Sequence, residues 1–297
     1  MTLLKRFGFF ILVNILVMTT ISITVQILST FFGIQIEPSS FSGLIIFCGL
    51  FGMGGAFISL FISKWMAKMT MGVQIIDPKV SDPHLQNLVK KVHYFANEAG
   101  LSTMPEVGIY DSPEVNAFAT GPSRNNSLVA VSSGLLNRMS TDEVDGVLAH
   151  EVAHVANGDM VTMTLIQGII NTFVMVFARL IAGAIAGQMD ERARPMVHFG
   201  LVMVLQIALS LLGSIVVNAF SRWREYRADY GGARLAGRSK MVAALERLSR
   251  NVDLVDTEHQ AMASLKISDK KASFLSALFS THPSLDDRIK RLKSMAN

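Results

Sequence analysis

The sequence predicts a mainly α-helical integral membrane protein that carries, outside the bilayer, a folded domain with a small antiparallel β-sheet. Three observations lead there. Half of the 297 residues are hydrophobic and only 17% are charged, which leaves too little polar surface to cover a soluble globule. Long uncharged runs recur along the chain, each able to cross roughly 30 Å of hydrocarbon as a helix. Between them lie segments with helical or alternating periodicity and strong turn chemistry, as a folded domain requires. The formal net charge of +4 does not make a nucleic-acid surface, because the basic residues flank apolar stretches instead of clustering on one face. Cys48 is the single cysteine, so neither an internal disulfide nor a Cys-based zinc knuckle can form.

Residues 1–63 read as an N-terminal transmembrane hairpin with spans at about 7–28 and 41–63. Lys5 and Arg6 resemble the start of a secretory signal, yet the apolar run is longer than a signal's and no small-x-small cleavage site follows, so a retained anchor is expected. Lys5, Arg6, Lys64 and Lys68 flank the hairpin, while the loop at 29–40 has no Lys or Arg. That bias places both ends in the cytoplasm. Residues 64–159 open the soluble domain. Leu85, Leu88, Val89, Val92 and Phe95 give 82–97 one apolar helical face, and 106–110, 115–120 and 128–132 are short β-prone runs separated by turn sequences. Residues 160–220 form a second hydrophobic hairpin, about 161–187 and 196–220. Its first arm carries Gln167, Asn171 and Arg179, and its connection carries Arg192 and Arg194 on what would be the outer side. Both features leave an interfacial or protein-buried hairpin open beside a spanning one. Residues 221–297 return to polar, helical sequence and complete the domain.

The chemistry concentrates at 140–154. Ser140 with Glu143 makes a capping box, and Val144, Val147, Leu148 and Val155 supply an apolar stripe, so a helix is expected through His150 and His154. Imidazoles four residues apart point the same way and can close on one Zn²⁺, while Glu151 reaches water at the metal. This is the H-E-x-x-H pattern. A catalytic zinc site needs a third protein ligand and an open fourth position. Asp159 lies just beyond the helix end. Glu225 is preferred, because Asp229 shares its helical face and can accept the free ring N–H of a ligand histidine. His84, His93, His198 and His259 have no ligand-like partner in sequence and read as structural or exposed.

With these residues in order, the chain closely resembles the HtpX family of bacterial membrane-bound zinc metalloproteases, relatives of the CAAX prenyl endopeptidases. The resemblance runs over the N-terminal hairpin, Asn116-Ala117-Phe118-Ala119-Thr120-Gly121, His150-Glu151-Val152-Ala153-His154 with Asn157-Gly158-Asp159, the second hairpin, Glu225 to Asp229, and Thr281-His282-Pro283-Ser284 ending in Arg288. It implies a zincin-like domain with the second hairpin inserted between the zinc-ligand helices. One Zn²⁺ would be held by His150, His154 and Glu225, with Glu151 as catalytic base. The resemblance also implies a cytoplasmic active site in the inner membrane and stress-linked quality control of membrane proteins.

Asn116, Ala117 and Phe118 fit an exposed edge that pairs with an extended substrate by β-addition, or an ordinary core strand. His282 or Arg288, and less so Tyr226, are candidates to stabilise the oxyanion of a tetrahedral intermediate. Competing functions are a transporter, a zinc-stapled scaffold and a narrow prenyl-protein endopeptidase. A transporter leaves the metal-helix pattern unexplained, a structural zinc has no need of Glu151, and a prenyl-protein enzyme would need more spans to house its substrate. The partners expected are therefore protein substrates and the lipid bilayer, with no nucleic acid.

Overall fold

The computed structural model describes residues 40–258 and 279–295 together with single positions between 19 and 31. Apart from those positions the predicted span at 7–28 lies outside the described residues, as does His259. The chain divides into two compact units, Met1–Leu60 with Thr162–Val217, and Phe61–Val161 with Asn218–Asn297.

Helices α1 (Phe41–Met71), α5 (Asp159–Ala186) and α6 (Arg194–Ala236), whose apolar portions fall in the first unit, are each long and apolar enough to cross a membrane. Small residues let them meet. A Cβ at Gly52 would lie 2.6 Å from the Thr172 backbone nitrogen, one at Gly168 2.7 Å from Met53 Sδ, and one at Gly213 2.6 Å from Ile170 Cγ2. The polar groups that made the second hairpin ambiguous find local partners. Gln167 Nε2 donates to Asn171 Oδ1 at 2.8 Å, and Arg179 donates to the Met175 carbonyl at 3.1 Å with its guanidinium 5.6 Å from the Phe47 ring. Phe173, Ile207 and Leu211 remain outward and exposed, the arrangement an apolar solvent favours.

The second unit is built on a four-stranded sheet of order β1-β2-β4-β3: β1 (Gln74–Ile75), β2 (Glu106–Tyr110), β3 (Ala117–Ser123) and β4 (Asn126–Ser132). The expected small sheet is mixed. Both outer pairs are antiparallel, but β2 and β4 run parallel from Glu106↔Leu128 to Tyr110↔Ser132. Because β3 lies outside β4, the chain passes over β4's place before returning to fill it. That crossover is a long-range choice which turn residues do not disclose.

Five further helices complete the unit among the described residues, four of them with a side-chain N-cap. Asp82 caps α2 (Pro83–Glu98), whose Leu88, Val89, Val92 and Phe95 are buried, and Ser132 caps the short α3 (Ser133–Arg138). Ser140 and Glu143 form the capping box of α4 (Thr141–Asn157), which ends on Gly158 at φ 70°, a left-handed conformation that costs glycine little. Then come α7 (Arg238–Glu258) and α8 (Leu285–Ser294), the latter capped by Ser284. The main core joins Val92 and Phe95 of α2, Val107 of β2, Val129 and Val131 of β4, and Leu148, Val152 and Val155 of α4.

At the polar end of α4, the buried Asp145 takes Lys91 of α2 on one oxygen and Lys240 of α7, at 2.7 Å, on the other. A buried carboxylate is tolerated because two cations satisfy it. Beside it Gly146 lets α7 approach: a Cβ there would stand 2.5 Å from the Lys240 carbonyl oxygen and 2.9 Å from Ala244 Cβ. Alanine normally gains about 0.5–1 kcal/mol over glycine inside a helix, but overpacking against backbone costs about 1–3 kcal/mol. Gly146→Ala is therefore expected to lower stability, read as a reduced Tm of the detergent-solubilised protein. An unchanged or raised Tm would show that α7 can move aside freely.

Candidate metal centre

Two adjacent glycines on α6 decide where its acidic residues fall. A Cβ at Gly231 would lie 2.7 Å from Ala153 Cβ, and one at Gly232 3.1 Å from the His150 backbone nitrogen. The C-terminal part of α6 thus packs directly on the histidine turns of α4, and Glu225 and Asp229 arrive beside the two rings.

His150, His154 and Glu225 are all buried, and one donor atom from each lies within 4.8 Å of the others. The Nε2 atoms of the two histidines are 3.1 Å apart. Glu225 Oε1 is 3.4 Å from His154 Nε2, and its Oε2 is 3.5 Å from His150 Nε2. A tetrahedral ion with bonds of about 2.0–2.1 Å, such as Zn²⁺, needs donor atoms roughly 3.3 Å apart. The three residues fit such an ion in donor type and in spacing.

Behind each imidazole stands a carboxylate. Asp159 Oδ2 lies 2.6 Å from His154 Nδ1. Asp229 Oδ1 lies 3.1 Å from His150 Nδ1, close enough for an ion pair though without the alignment of a formed hydrogen bond. Asp159 therefore sits on the far nitrogen of a candidate ligand and orients it, leaving Glu225 as the acid on the metal-facing side. Arg288 of α8, itself buried, grips Asp229 through Nε to Oδ2 at 2.8 Å and Nη2 to Oδ1 at 2.6 Å. Its Nη1 is 3.4 Å from Glu225 Oε2. His282 is mostly exposed, with Nδ1 3.3 Å from the same oxygen. Two bonds from α6 fix its loop: Asn218 Nδ2 donates to the Phe279 carbonyl at 3.1 Å and Arg222 to the Ser280 carbonyl at 2.7 Å.

A cavity of about 140 Å³ opens beside these groups, and Asn116, Ala117, His150, Glu151, Glu225, His282 and Arg288 all face it. Ser132 sets the approach of the Asn116 segment: its hydroxyl donates to the Glu114 carbonyl at 2.6 Å and accepts from the Asn116 N–H at 3.1 Å. Phe118 is absent from the lining and packs on Tyr110, ring centroids 5.7 Å apart, because alternate residues of a strand face opposite sides. Tyr226 also turns away, its ring under the Arg291 guanidinium at 4.1 Å. Sequence spacing alone presents Asp159 as a rival ligand. Its place directly after the helix-ending Gly158 was the available signal for its supporting position.

Burial disfavours ions here, and the carboxylates outweigh it. Desolvation works against protonating His154, but the hydrogen bonds with Asp159 and Glu225 carry its pKa up from 6.5 to about 9. Burial would raise Glu225 and Asp229. Instead, the imidazoles hold Glu225 far below the usual carboxylate range, and Arg288 with His150 holds Asp229 low. Without a cation, a proton on His154 supplies the missing positive charge. The stability it contributes is complete below about pH 6.5 and is lost as pH rises through about 9. A divalent ion must displace that proton, so its apparent affinity should rise about tenfold per pH unit and level off above about pH 9. Competition with a chelator across this range checks it, and a flat profile would remove His154 from the ligand set.

Residues 81–296 match Peptidase family M48. "Protease HtpX homolog" of Bacillus licheniformis is 52% identical over 297 residues, covering 98% of this chain and 99% of the relative. "Protease HtpX" of Aeromonas hydrophila is 51% identical over 298 residues, covering 98% and 100%. Among solved structures, S. mikatae Ste24p shares the fold at a TM-score of 0.62 and 17% identity, and the match covers 98% of this chain and 64% of that one. On the strength of these matches along nearly its whole length, the chain belongs to peptidase family M48, as a metallopeptidase of the HtpX group with apolar helices of membrane length.

Proposed function

We propose that this protein is a zinc-dependent endopeptidase of the bacterial inner membrane, with its active site on the cytoplasmic side, that cleaves misfolded or damaged membrane proteins in stress-linked quality control. The observation that carries the reading is the cluster of His150, His154 and Glu225, of which His150 and Glu225 face one cavity together with Glu151, at the start of a sheet-edge strand. What supports the cytoplasmic side is the sequence bias: Lys5, Arg6, Lys64 and Lys68 flank the two uncharged runs, and residues 29–40 between those runs include neither Lys nor Arg.

His150, His154 and Glu225 would hold the ion, with Asp159 bonded to His154 Nδ1 and Asp229 3.1 Å from His150 Nδ1, so that both Nε2 atoms are left for the metal. A bound zinc supplies Lewis acidity toward water and the peptide carbonyl. Glu151 takes the proton from the attacking water and returns it to the departing amine. Arg288 and His282, at the same cavity, present cationic or donor groups where charge develops on the carbonyl oxygen. β3 offers its unpaired edge to an extended substrate at Asn116 and Ala117, while Phe118 anchors the strand from behind.

Two substitutions separate these roles. Glu151→Gln is expected to abolish cleavage, by a factor of about 10² or more for loss of the base, while stoichiometric zinc stays bound. Loss of the metal in that variant would count against the assignment. Glu225→Ala is expected to lower zinc occupancy measured by elemental analysis, and full occupancy would return Asp159 as third ligand. The whole reading is tested by degradation of an unfolded protein by chelator-stripped, detergent-solubilised enzyme. Zinc should restore cleavage in the wild type and not in Glu151→Gln.

A further inference from the structure

The cavity beside the metal centre has two unlike ends. At one stand His150, Glu151, Glu225, His282 and Arg288. The other is walled by Leu135, Val147, Met241, Ala244, Leu245 and Leu248, with no charged side chain among them. All of these residues belong to one compact unit, Phe61–Val161 with Asn218–Asn297.

The apolar end has a fixed shape. Leu135, Val147 and Ala244 are part of the main core, Met241 and Leu245 pack with Leu292 of α8, and all five are buried. Of the six, Leu248 alone is partly exposed. The width is the distance between α4 and α7, which Gly146 keeps short by admitting Ala244 so closely that an added Cβ would lie 2.9 Å from it. An apolar cavity of about 150 Å³ admits a benzene ring. The whole cavity here measures about 140 Å³, and its charged end takes part of that. What is left suits an isobutyl or thioether side chain and is too small for a phenyl ring. A charged side chain would lose its hydration there with no partner to replace it.

Glu151 decides which side of the cut the apolar end serves. Val147 lies four residues before Glu151 and three before His150, on the same face of α4 and about 4.5–6 Å nearer its N-terminus. The apolar end therefore opens from the Glu151 side of the centre, and His154, one turn further on, is not part of the lining. In peptide hydrolysis water adds to the carbonyl carbon, the C–N bond breaks, and the proton that Glu151 took from water goes to the nitrogen. The amine thus departs at Glu151, and the side chain on its next carbon enters the apolar end.

We propose that this end of the cavity selects the residue that contributes the departing amine, so that cleavage falls on the amino side of medium-sized aliphatic residues, Leu and Met above all. Met241, Leu245 and Leu248 set the size limit. This rests on the zinc-endopeptidase reading and adds to it a side-chain specificity.

The test uses the full zinc-loaded chain in detergent and unstructured peptides that differ at one guest position, with cut sites mapped by mass spectrometry. Cutting immediately before Leu or Met should exceed cutting before Gly, Asp or Phe by about tenfold or more, the scale expected for burying one aliphatic side chain. Leu248→Ala, which shortens the wall at its partly exposed end, should raise cutting before Phe relative to Leu by about tenfold. Peptide binding to zinc-loaded Glu151→Gln, which needs no turnover, should follow the wild-type order. Zinc-dependent cutting at equal rates before every guest, a preference set only by the residue on the other side of the cut, or an unchanged Phe-to-Leu ratio in folded Leu248→Ala would overturn the pocket while leaving the endopeptidase intact. Should Leu248→Ala fail to fold, the wild-type cut profile and the binding order decide the matter. Absence of zinc-dependent cutting in every peptide, with wild type equal to Glu151→Gln, would overturn the endopeptidase reading and the pocket with it.

Discussion

The close approach of α6 to α4 is the constraint on which the rest of the site depends. Gly231 and Gly232 have no Cβ to hold the helices apart, and their neighbours are Ala153 and the backbone of His150. Only at that separation can a short acid such as Asp229 reach His150, and Glu225 lie between both imidazoles. A helix pair set at the usual 8–10 Å by larger side chains would leave the same residues facing each other across a gap too wide for one ion.

Such proximity creates an electrostatic problem that the fold solves locally. Glu225, Asp229 and Asp159 are all buried, and unpaired buried charges would be strongly destabilising. Each is matched: Asp229 by the Arg288 fork, Asp159 by His154 with Arg227 at 3.5 Å, and Glu225 by the rings that would share a cation with it. The same device recurs at the other end of α4, where Asp145 meets Lys91 and Lys240. One helix is therefore positioned at both ends by buried carboxylates as well as by the apolar stripe of Leu148, Val152 and Val155.

What was legible in the sequence follows from how local each feature is. The α4 helix, its capping box and its paired histidines depend on spacings within one segment, and the long apolar helices on composition, so both could be read directly. Glu225 and Asp229 were recoverable because their shared face after an apolar run narrows the choice. Pairings between distant segments were not. The parallel β2–β4 pair, the full engagement of Arg288 by Asp229, the position of Asp159 behind His154 and the turning of Phe118 onto Tyr110 all depend on which face of one element meets another. No single-segment pattern encodes that.

The separation of the ligands along the chain also orders their assembly in time. His150 and His154 leave the ribosome first, and Glu225 follows only after the whole second hydrophobic hairpin has been made. At about 5–20 residues per second the intervening chain takes several seconds to synthesise. During that interval the histidine helix stands without the acid that completes the cluster, so the candidate centre is a property of the finished chain and of no shorter one.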